Sequence, residues 1–534
     1  MKLWTFPLCA RNERDGVAAS PVRANEMTKK LTRRSFIRTT ALGSAGIVVA
    51  SKIRAQPAKP KRGPNLIVFL PDGHRPDTIS CYGARQSITP NLDKLAGQSA
   101  VFQRAYVAQP ICTPSRSSLM TGVWPHTTGC LFNGVHLPKH FNCLPEMMAD
   151  ADYHFGYLGK WHLGEEVNAQ HGFQEWASIH FANEMDPTTG QREVVLSDYE
   201  RFLLENHQQP DKRNGRSFSP RFASNLPIEL SKPKFLEGKA CDYLKRHQDE
   251  PFVLFVAFFE PHPPYNGPLN NAHPADQLAL DATADHDFGR DMPARYRALQ
   301  DKWQKIYGRS REKRVRIKAN YLGLVTEIDQ SIGAILSTLE QLGLAENTIV
   351  MHIADHGDMM SAHGLFGKSV MFEEATRVPW LVRLPGQKSS FSIPQPVSYI
   401  DFIPTVLDLM GKPPHPQCVG KTLAPLVRGE SMAPGNVFVQ WHPSRHREDL
   451  PAHTGWLEKY RVKHALAENT RTIVSPDGWK LSLRDADLNE LYNLEADPNE
   501  MQNLYPGLAG KEIIQRLTGN IHRWQESVAD KVKV

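Results

Sequence analysis

Asn65-Leu66-Ile67-Val68-Phe69-Leu70 is an unbroken apolar run that stops at Pro71-Asp72-Gly73. A short strand without polar alternation is one buried on both faces, the condition of a parallel sheet covered by helices. Pro251 to Phe259 and Thr348 to Ala354 have the same form, and each ends in a cluster rich in Asp, His or Pro. Between these two lies Arg314 to Leu344, where Leu322, Val325, Ile328, Ile332, Ile335 and Leu339 recur at helical spacing. A second helix is predicted from Ser398 to Met410, stopped by Gly411 and two prolines. Strands alternating with helices predict an α/β fold, a large mixed, mostly parallel sheet sandwiched by helices. Ligands of such sheets gather beyond the carboxyl ends of the strands, where the polar clusters fall.

Outward from this frame, Ser178 to Lys239 and Gly267 to Lys313 are polar and poor in periodic pattern, so they read as long insertions that shape access to the strand ends. From Asn436 the pattern changes to shorter alternating pieces, Arg471-Thr472-Ile473-Val474 and Trp479-Lys480-Leu481-Ser482-Leu483, before an amphipathic helix near Glu512 to Val528. That pattern predicts a smaller C-terminal α+β subdomain built on an antiparallel sheet. The expected division is a leader over 1–55, a linker over 56–64, a main domain over 65–435 and the subdomain over 436–534. With 534 residues, 40% of them hydrophobic, the chain can bury a large core.

The net charge of +6 misleads as a sum. Eleven lysines and arginines face three acids in the first 55 residues, so the basicity belongs to the leader. A nucleic-acid binder would carry it on the folded domain, and that class is excluded. The leader reads Thr32-Arg33-Arg34-Ser35-Phe36-Ile37-Arg38, then a weakly apolar run from Ala41 to Ala50, with small-residue cleavage points at Ala50 or Ala55. It is similar to a twin-arginine (Tat) signal peptide, which implies the Tat export machinery and a periplasmic or secreted protein. The run is well short of the roughly 20 residues that span a bilayer, and no later stretch is apolar enough to do so. Met27 stands just before Lys29-Lys30, and residues 1–26 read as an upstream over-extension of the reading frame. The seven cysteines form no zinc or disulfide-scaffold pattern, although an oxidising compartment would permit one or two disulfides.

Chemistry concentrates in Cys112-Thr113-Pro114-Ser115-Arg116-Ser117-Ser118-Leu119-Met120-Thr121-Gly122, a cysteine ahead of a Pro-initiated helical turn with an arginine four residues on. A helix N-terminus favours an anion and lowers a thiol pKa, so this is either a nucleophile or an inert buried cysteine. Asp72 and Asp355-His356 follow two of the strands and are candidate metal ligands, although a lone Asp there also reads as a turn or cap.

The run at Cys112 resembles the sulfatase signature Cys-X-Pro-Ser-Arg with its Leu-X-Thr-Gly ending, and Gly156-Tyr157-Leu158-Gly159-Lys160-Trp161-His162-Leu163-Gly164 resembles that family's second signature. Leu491-Tyr492-Asn493-Leu494 and Asp497-Pro498-Asn499-Glu500 are similar to its C-terminal region. The resemblance covers essentially Asn65 to the end of the chain. It implies an alkaline phosphatase-like fold and a sulfuric ester hydrolase whose Cys112 is oxidised to formylglycine by a formylglycine-generating enzyme before folding. It also implies one calcium ion held by Asp72, Asp355, His356 and the residue-112 oxygen. Another divalent metal stays open, because His356 brings a nitrogen donor and oxygen-only sites suit calcium best. Many members carry an acid or amide after the first Asp; this chain has Gly73, so water or bidentate Asp72 must fill in. Arg116 and Lys160 would hold the formylglycine hydrate and the anion, with Lys368 and His262 near the bridging oxygen. One hydroxyl of the hydrate attacks sulfur and expels the alcohol; His162 helps deprotonate the second, and collapse to the aldehyde ejects sulfate.

Two alternatives stay open. A phosphonate monoester or phosphodiester hydrolase of the same superfamily is compatible with His356, whereas Ser115 favours a sulfatase. A non-catalytic calcium- or glycan-binding protein would have lost the charged residues that are present here. A sulfated carbohydrate is the expected substrate, since export places the chain among such polymers; a small aryl or alkyl sulfate is the other option.

Overall fold

The computed structural model describes residues 63–180, 182–185, 192–212, 217–289, 291–443, 463–507 and 510–534. The predicted leader and nearly all of the linker lie outside the described residues. The main sheet contains β1 (Asn65–Phe69), β2 (Ala100–Tyr106), β3 (His154–Gly159) and β4 (Glu175–Ala177). After a separate two-stranded hairpin, β5 (Ala182–Met185) with β6 (Arg192–Val195), it continues with β7 (Phe252–Ala257), β8 (Thr348–Ile353), β9 (Arg377–Arg383) and β10 (Phe391–Ser398). Its order is β10-β2-β9-β8-β1-β7-β3-β4. Only β9 runs antiparallel to its neighbours, β2 and β8, so the sheet is mixed and mostly parallel, as predicted.

β1 shows why its sequence is apolar throughout. Leu66, Val68 and Leu70 enter a core shared with Leu119 and Met120 of the Cys112–Thr121 helix and with Phe402, Ile403 and Val406 of the Phe402–Leu409 helix. Ile67 and Phe69 enter the opposite core, with Tyr243 and Leu244 of the Lys232–Arg246 helix and Ile328, Ile332 and Ile335 of the Arg311–Gln341 helix. A strand buried on both faces has no polar positions to alternate.

A second sheet, β11 (Val437–Trp441), β12 (Thr470–Val474), β13 (Trp479–Arg484) and β14 (Glu490–Asn493), is antiparallel throughout. Leu517 and Ile521 of the Lys511–Ser527 helix pack on it against Ile473, Leu481 and Leu491. The segments read as insertions are more ordered than their polarity suggested. The Lys232–Arg246 helix starts inside the first, and a helix over Ala294–Tyr307 lies inside the second, with Tyr296 and Leu299 buried against Met359 and Phe372. The helix predicted from Ser398 begins as a 3-10 turn over Tyr399–Asp401. Among the described residues no helix is long and apolar enough to cross a membrane, and Cys81, Cys112, Cys130, Cys143, Cys241 and Cys418 are free thiols.

Candidate active site

β1 and β8 pair in parallel, with Phe69 opposite His352, so their carboxyl ends lie side by side. The chain leaving β1 delivers Asp72, and the chain leaving β8 delivers Asp355 and His356; all three are buried. The two ends are stitched together by the backbone, Asp355 N–H donating to Pro71 O at 3.3 Å. Gly73 donates its N–H to Asp355 Oδ1 at 3.1 Å, from a left-handed backbone at φ +78°.

Cys112 faces this corner from the first position of its own helix, rather than from ahead of a Pro-initiated turn as its sequence suggested. Ile111 is the extended N-cap, and all ten helix residues are buried. The thiol lies 3.2 Å from His356 Nε2 and 3.8 Å from Asp72 Oδ1. Burial opposes its ionisation, but Lys160, Lys368 and His356 outweigh burial and, with a hydrogen bond from His162, hold the thiol well below its usual pKa. The glycine closing the signature has a structural reason: Gly122 sits at φ +68°, and a Cβ there would lie 2.8 Å from Cys418 Sγ.

Arg116, one turn along the same helix, reaches both carboxylates. Its Nε donates to Asp355 Oδ2 at 2.8 Å, Nη1 donates to Lys160 O at 2.7 Å, and Nη2 lies 3.6 Å from Asp72 Oδ2. Nη2 is buried without a hydrogen-bond partner among the described residues. Lys160 leaves the end of β3 and pairs with Asp72 Oδ2. Gly159 makes that exit possible: at φ +114°, its missing Cβ would fall 1.9 Å from Ala257 O. His162 follows in a left-handed conformation at φ +62°, its Nδ1 buried and unpartnered among the described residues.

Lys368 Nζ stands 3.9 Å from Asp72 Oδ1. Burial works against its charge, yet Cys112, Asp72 and Asp355 hold it protonated above the ordinary lysine range. His262 follows β7 and hydrogen-bonds both Cys112 and Pro263 O, the latter through Nδ1 at 2.7 Å. Burial and the Lys368 charge push it down to about 4. All the residues singled out in the sequence thus converge on one corner, within reach of Cys112 or Asp72.

Other residues there went unnoticed in the sequence. Asp358 Oδ1 accepts from Met360 N and Gly367 N, and its Oδ2 accepts from Tyr265 Oη at 2.7 Å. It thereby ties down a loop in which Met360, Ser361, His363, Gly364, Gly367 and Ser369 all have positive φ, the loop that presents Lys368. Its only sequence signal was its place three residues after Asp355. Lys232, its ammonium 4.2 Å from the Phe259 ring, gave no signal because it begins a helix hidden in a polar segment.

Asp72, Cys112, Asp355 and His356 each offer one ligand atom, all within 4.8 Å of one another. His356 Nδ1 is 2.8 Å from Gly357 O and donates to it, so Nε2 faces the carboxylates; burial opposes a charge there, but Asp355 raises the His356 pKa. Burial and the neighbouring Asp72 raise the Asp355 pKa, a repulsion that a cation would relieve. This donor set fits a divalent metal ion. Lys160 engages Asp72 Oδ2, while Oδ1 faces Cys112, His356 and Lys368. Where Gly73 lacks a side chain, the His356 ring lies alongside, 3.6 Å from the position a Cβ would take.

A buried thiol between carboxylates and six cationic or imidazole side chains, at the strand ends of a mixed, mostly parallel sheet, defines a hydrolase of anionic esters. The family described as Sulfatase matches residues 64–412, and the one described as N-sulphoglucosamine sulphohydrolase, C-terminal, matches residues 361–527. The chain belongs to the sulfatase family, enzymes that hydrolyse sulfuric esters. It is similar to an N-acetylglucosamine-6-O-sulfatase of Bacteroides thetaiotaomicron, 25% identical over 92% of each chain. The fold matches a solved protein in complex with its substrate D-glucosamine-2-N,6-O-disulfate, at TM-score 0.66 and 22% identity, over 88% of this chain and 99% of the other. It also matches the phosphonate monoester hydrolase of Silicibacter pomeroyi, at TM-score 0.70 and 20% identity, over 88% and 96%.

Proposed function

We propose that this protein hydrolyses sulfate monoesters of a sugar, with Cys112 matured to formylglycine as nucleophile and a divalent cation, calcium in the first instance, bound beside it. The observation that carries the reading is the position of Cys112: buried at a helix N-terminus, 3.2 Å from His356 Nε2 and held among Lys160, Lys368 and Arg116. As a hydrate, a residue-112 aldehyde supplies one hydroxyl to attack sulfur and a second through which sulfate is expelled. A metal held by Asp72, Asp355 and His356 supplies positive charge beside the attacking oxygen and the ester.

The remaining side chains divide the work. Arg116 Nη2, lacking a partner among the described residues, is placed to donate to the bound anion. Lys160 and Lys368 offset the charge of the sulfate. Lys368, held protonated, is the proton donor to the departing alcohol; His262, neutral above about pH 4, is placed to hydrogen-bond beside it. His162, which hydrogen-bonds residue 112, is placed to accept the second hydroxyl's proton.

The full burial of Cys112 supports maturation by a formylglycine-generating enzyme before the chain folds, since no enzyme could reach the thiol afterwards. Export by the twin-arginine route to the periplasm or beyond follows from the motif at Arg33-Arg34 and puts the enzyme where sulfated polymers are met. The name of the Bacteroides relative supports a sugar sulfate.

A second reading, a phosphonate monoester or phosphodiester hydrolase, is favoured by one feature, the imidazole of His356 in the metal shell where Gly73 contributes nothing. Glucosamine 6-sulfate, 4-nitrophenyl sulfate and phenyl phenylphosphonate, assayed with wild type and Cys112→Ala, separate the readings. The expected result is faster turnover of the sulfates, lost by at least about a thousandfold in Cys112→Ala. A phosphonate preference transfers the assignment to the second reading; undiminished turnover in Cys112→Ala removes both.

A further inference from the structure

Beside His262 a narrow cleft opens, with room for little more than a water molecule inside its mouth. Its walls come from Ser231 and Lys232, from Phe259, Glu260 and His262 after β7, and from Glu327 on the long Arg311–Gln341 helix. His262 stands in both the cleft and the candidate active site, so the cleft adjoins the corner that holds Cys112. Glu260 Oε2 and Glu327 Oε1 are buried in it without a hydrogen-bond partner among the described residues. The Lys232 ammonium rests 4.2 Å from the Phe259 ring, and no described carboxylate lies within ion-pair distance of it. Two unpartnered carboxyl oxygens are costly to bury unless something completes them, and the Lys232 charge acts on one of them, Glu260.

A ligand that completes both carboxyls must bring groups that donate and accept, because the protonated Glu327 can do either. Hydroxyl groups do both, and adjacent ones on a sugar ring present donors and an acceptor along one edge. An aryl leaving group has nothing to offer these atoms. Phe259 already carries Lys232 and Lys160 near its ring, so the contact is with a ring edge and not a stacked face.

We propose that Glu260, Glu327 and Lys232 form the subsite for the leaving alcohol and select a sugar by hydrogen-bonding the hydroxyl or amine groups next to the sulfated position. This rests on the sulfate-ester reading above and adds to it the residues that recognise the substrate. Burial and the neighbouring Glu260 push the Glu327 carboxyl up to about 8, so it is held protonated at neutral pH and can donate as well as accept.

The test compares matured wild type with Glu327→Gln and Lys232→Met on glucosamine 6-sulfate and 4-nitrophenyl sulfate, with melting curves to confirm folding. The ratio of kcat/KM, sugar sulfate over aryl sulfate, falls at least about tenfold in each variant, mainly through KM. If Glu327→Gln fails to fold, Lys232→Met decides alone. A ratio that stays within about twofold of wild type in the folded variants overturns the subsite and marks the cleft as holding only water. Wild type inactive on both sulfates refutes the parent reading and takes this one with it, a different outcome from an active enzyme with an unchanged ratio.

Discussion

Replacing Arg116 by Met tests whether the candidate site is held together by its own charges. The side chain is fully buried, and its loss strips Asp355 Oδ2 of a 2.8 Å partner and Lys160 O of a 2.7 Å one, leaving apolar volume of similar length. Breaking a buried pair from one side costs about 3–5 kcal/mol, because the other charge stays buried and uncompensated. For the folded unit Pro60–Val534, an unfolding entropy of about 2.1 cal/mol/K per residue sums to about 1 kcal/mol/K, so Tm should fall by about 3–5 °C. The assay is thermal unfolding with chelator present, so that a bound cation does not take over Arg116's role. Adding Asp355→Asn should recover at least about 1 kcal/mol relative to additive behaviour, since the orphaned charge is gone. A Tm within about 1 °C of wild type for Arg116→Met, or strictly additive effects in the double variant, would refute the argument.

Three further outcomes are expected. Gly159→Ala sets a Cβ 1.9 Å from Ala257 O at φ +114°, so it should displace Lys160 and lower turnover at least about a hundredfold, read from kcat on a sulfate ester. Burial and Arg471 hold His442 down to about 3, so between roughly pH 6.5 and 3 the unfolded chain takes up a proton that the folded chain refuses, and acid destabilises the fold. His442→Asn should therefore lose less Tm than wild type between about pH 7 and 5; equal losses would contradict the assignment. Prolonged chelation should abolish turnover, and calcium should restore it more fully than magnesium, whose strict octahedral geometry suits this shell poorly.

The central sheet was legible where the chemistry is simplest. β1, β7 and β8 are buried on both faces and read as plain apolar runs. β9 and β10 were not legible, because Pro379, Pro394 and Pro396 argue against strands. Their ladders tolerate these residues through register shifts between Phe102 and Ala105 and between Ile393 and Pro396, and β10 is an edge strand. β3 was hidden by Gly156 and Gly159, residues poor in strand propensity that Tyr243 and Ala257 require by close approach. The site residues on signature runs could be read because those runs resemble the sulfatase signatures; taken singly, each would pass for an inert or solvated side chain. Asp358, Lys232, Glu260 and Glu327 could not, since each depends on contacts across segments far apart in sequence. The helix at Ala294–Tyr307 was within reach, as Tyr296, Leu299 and Trp303 follow helical spacing inside a segment whose polarity dominated its reading.

The most direct test is mass spectrometry of the peptide containing Cys112, from protein produced with its maturation enzyme and shown to be active on a sulfate ester. The account predicts an aldehyde at position 112, trapped as a hydrazone, in proportion to specific activity. An unmodified thiol in fully active enzyme would contradict it.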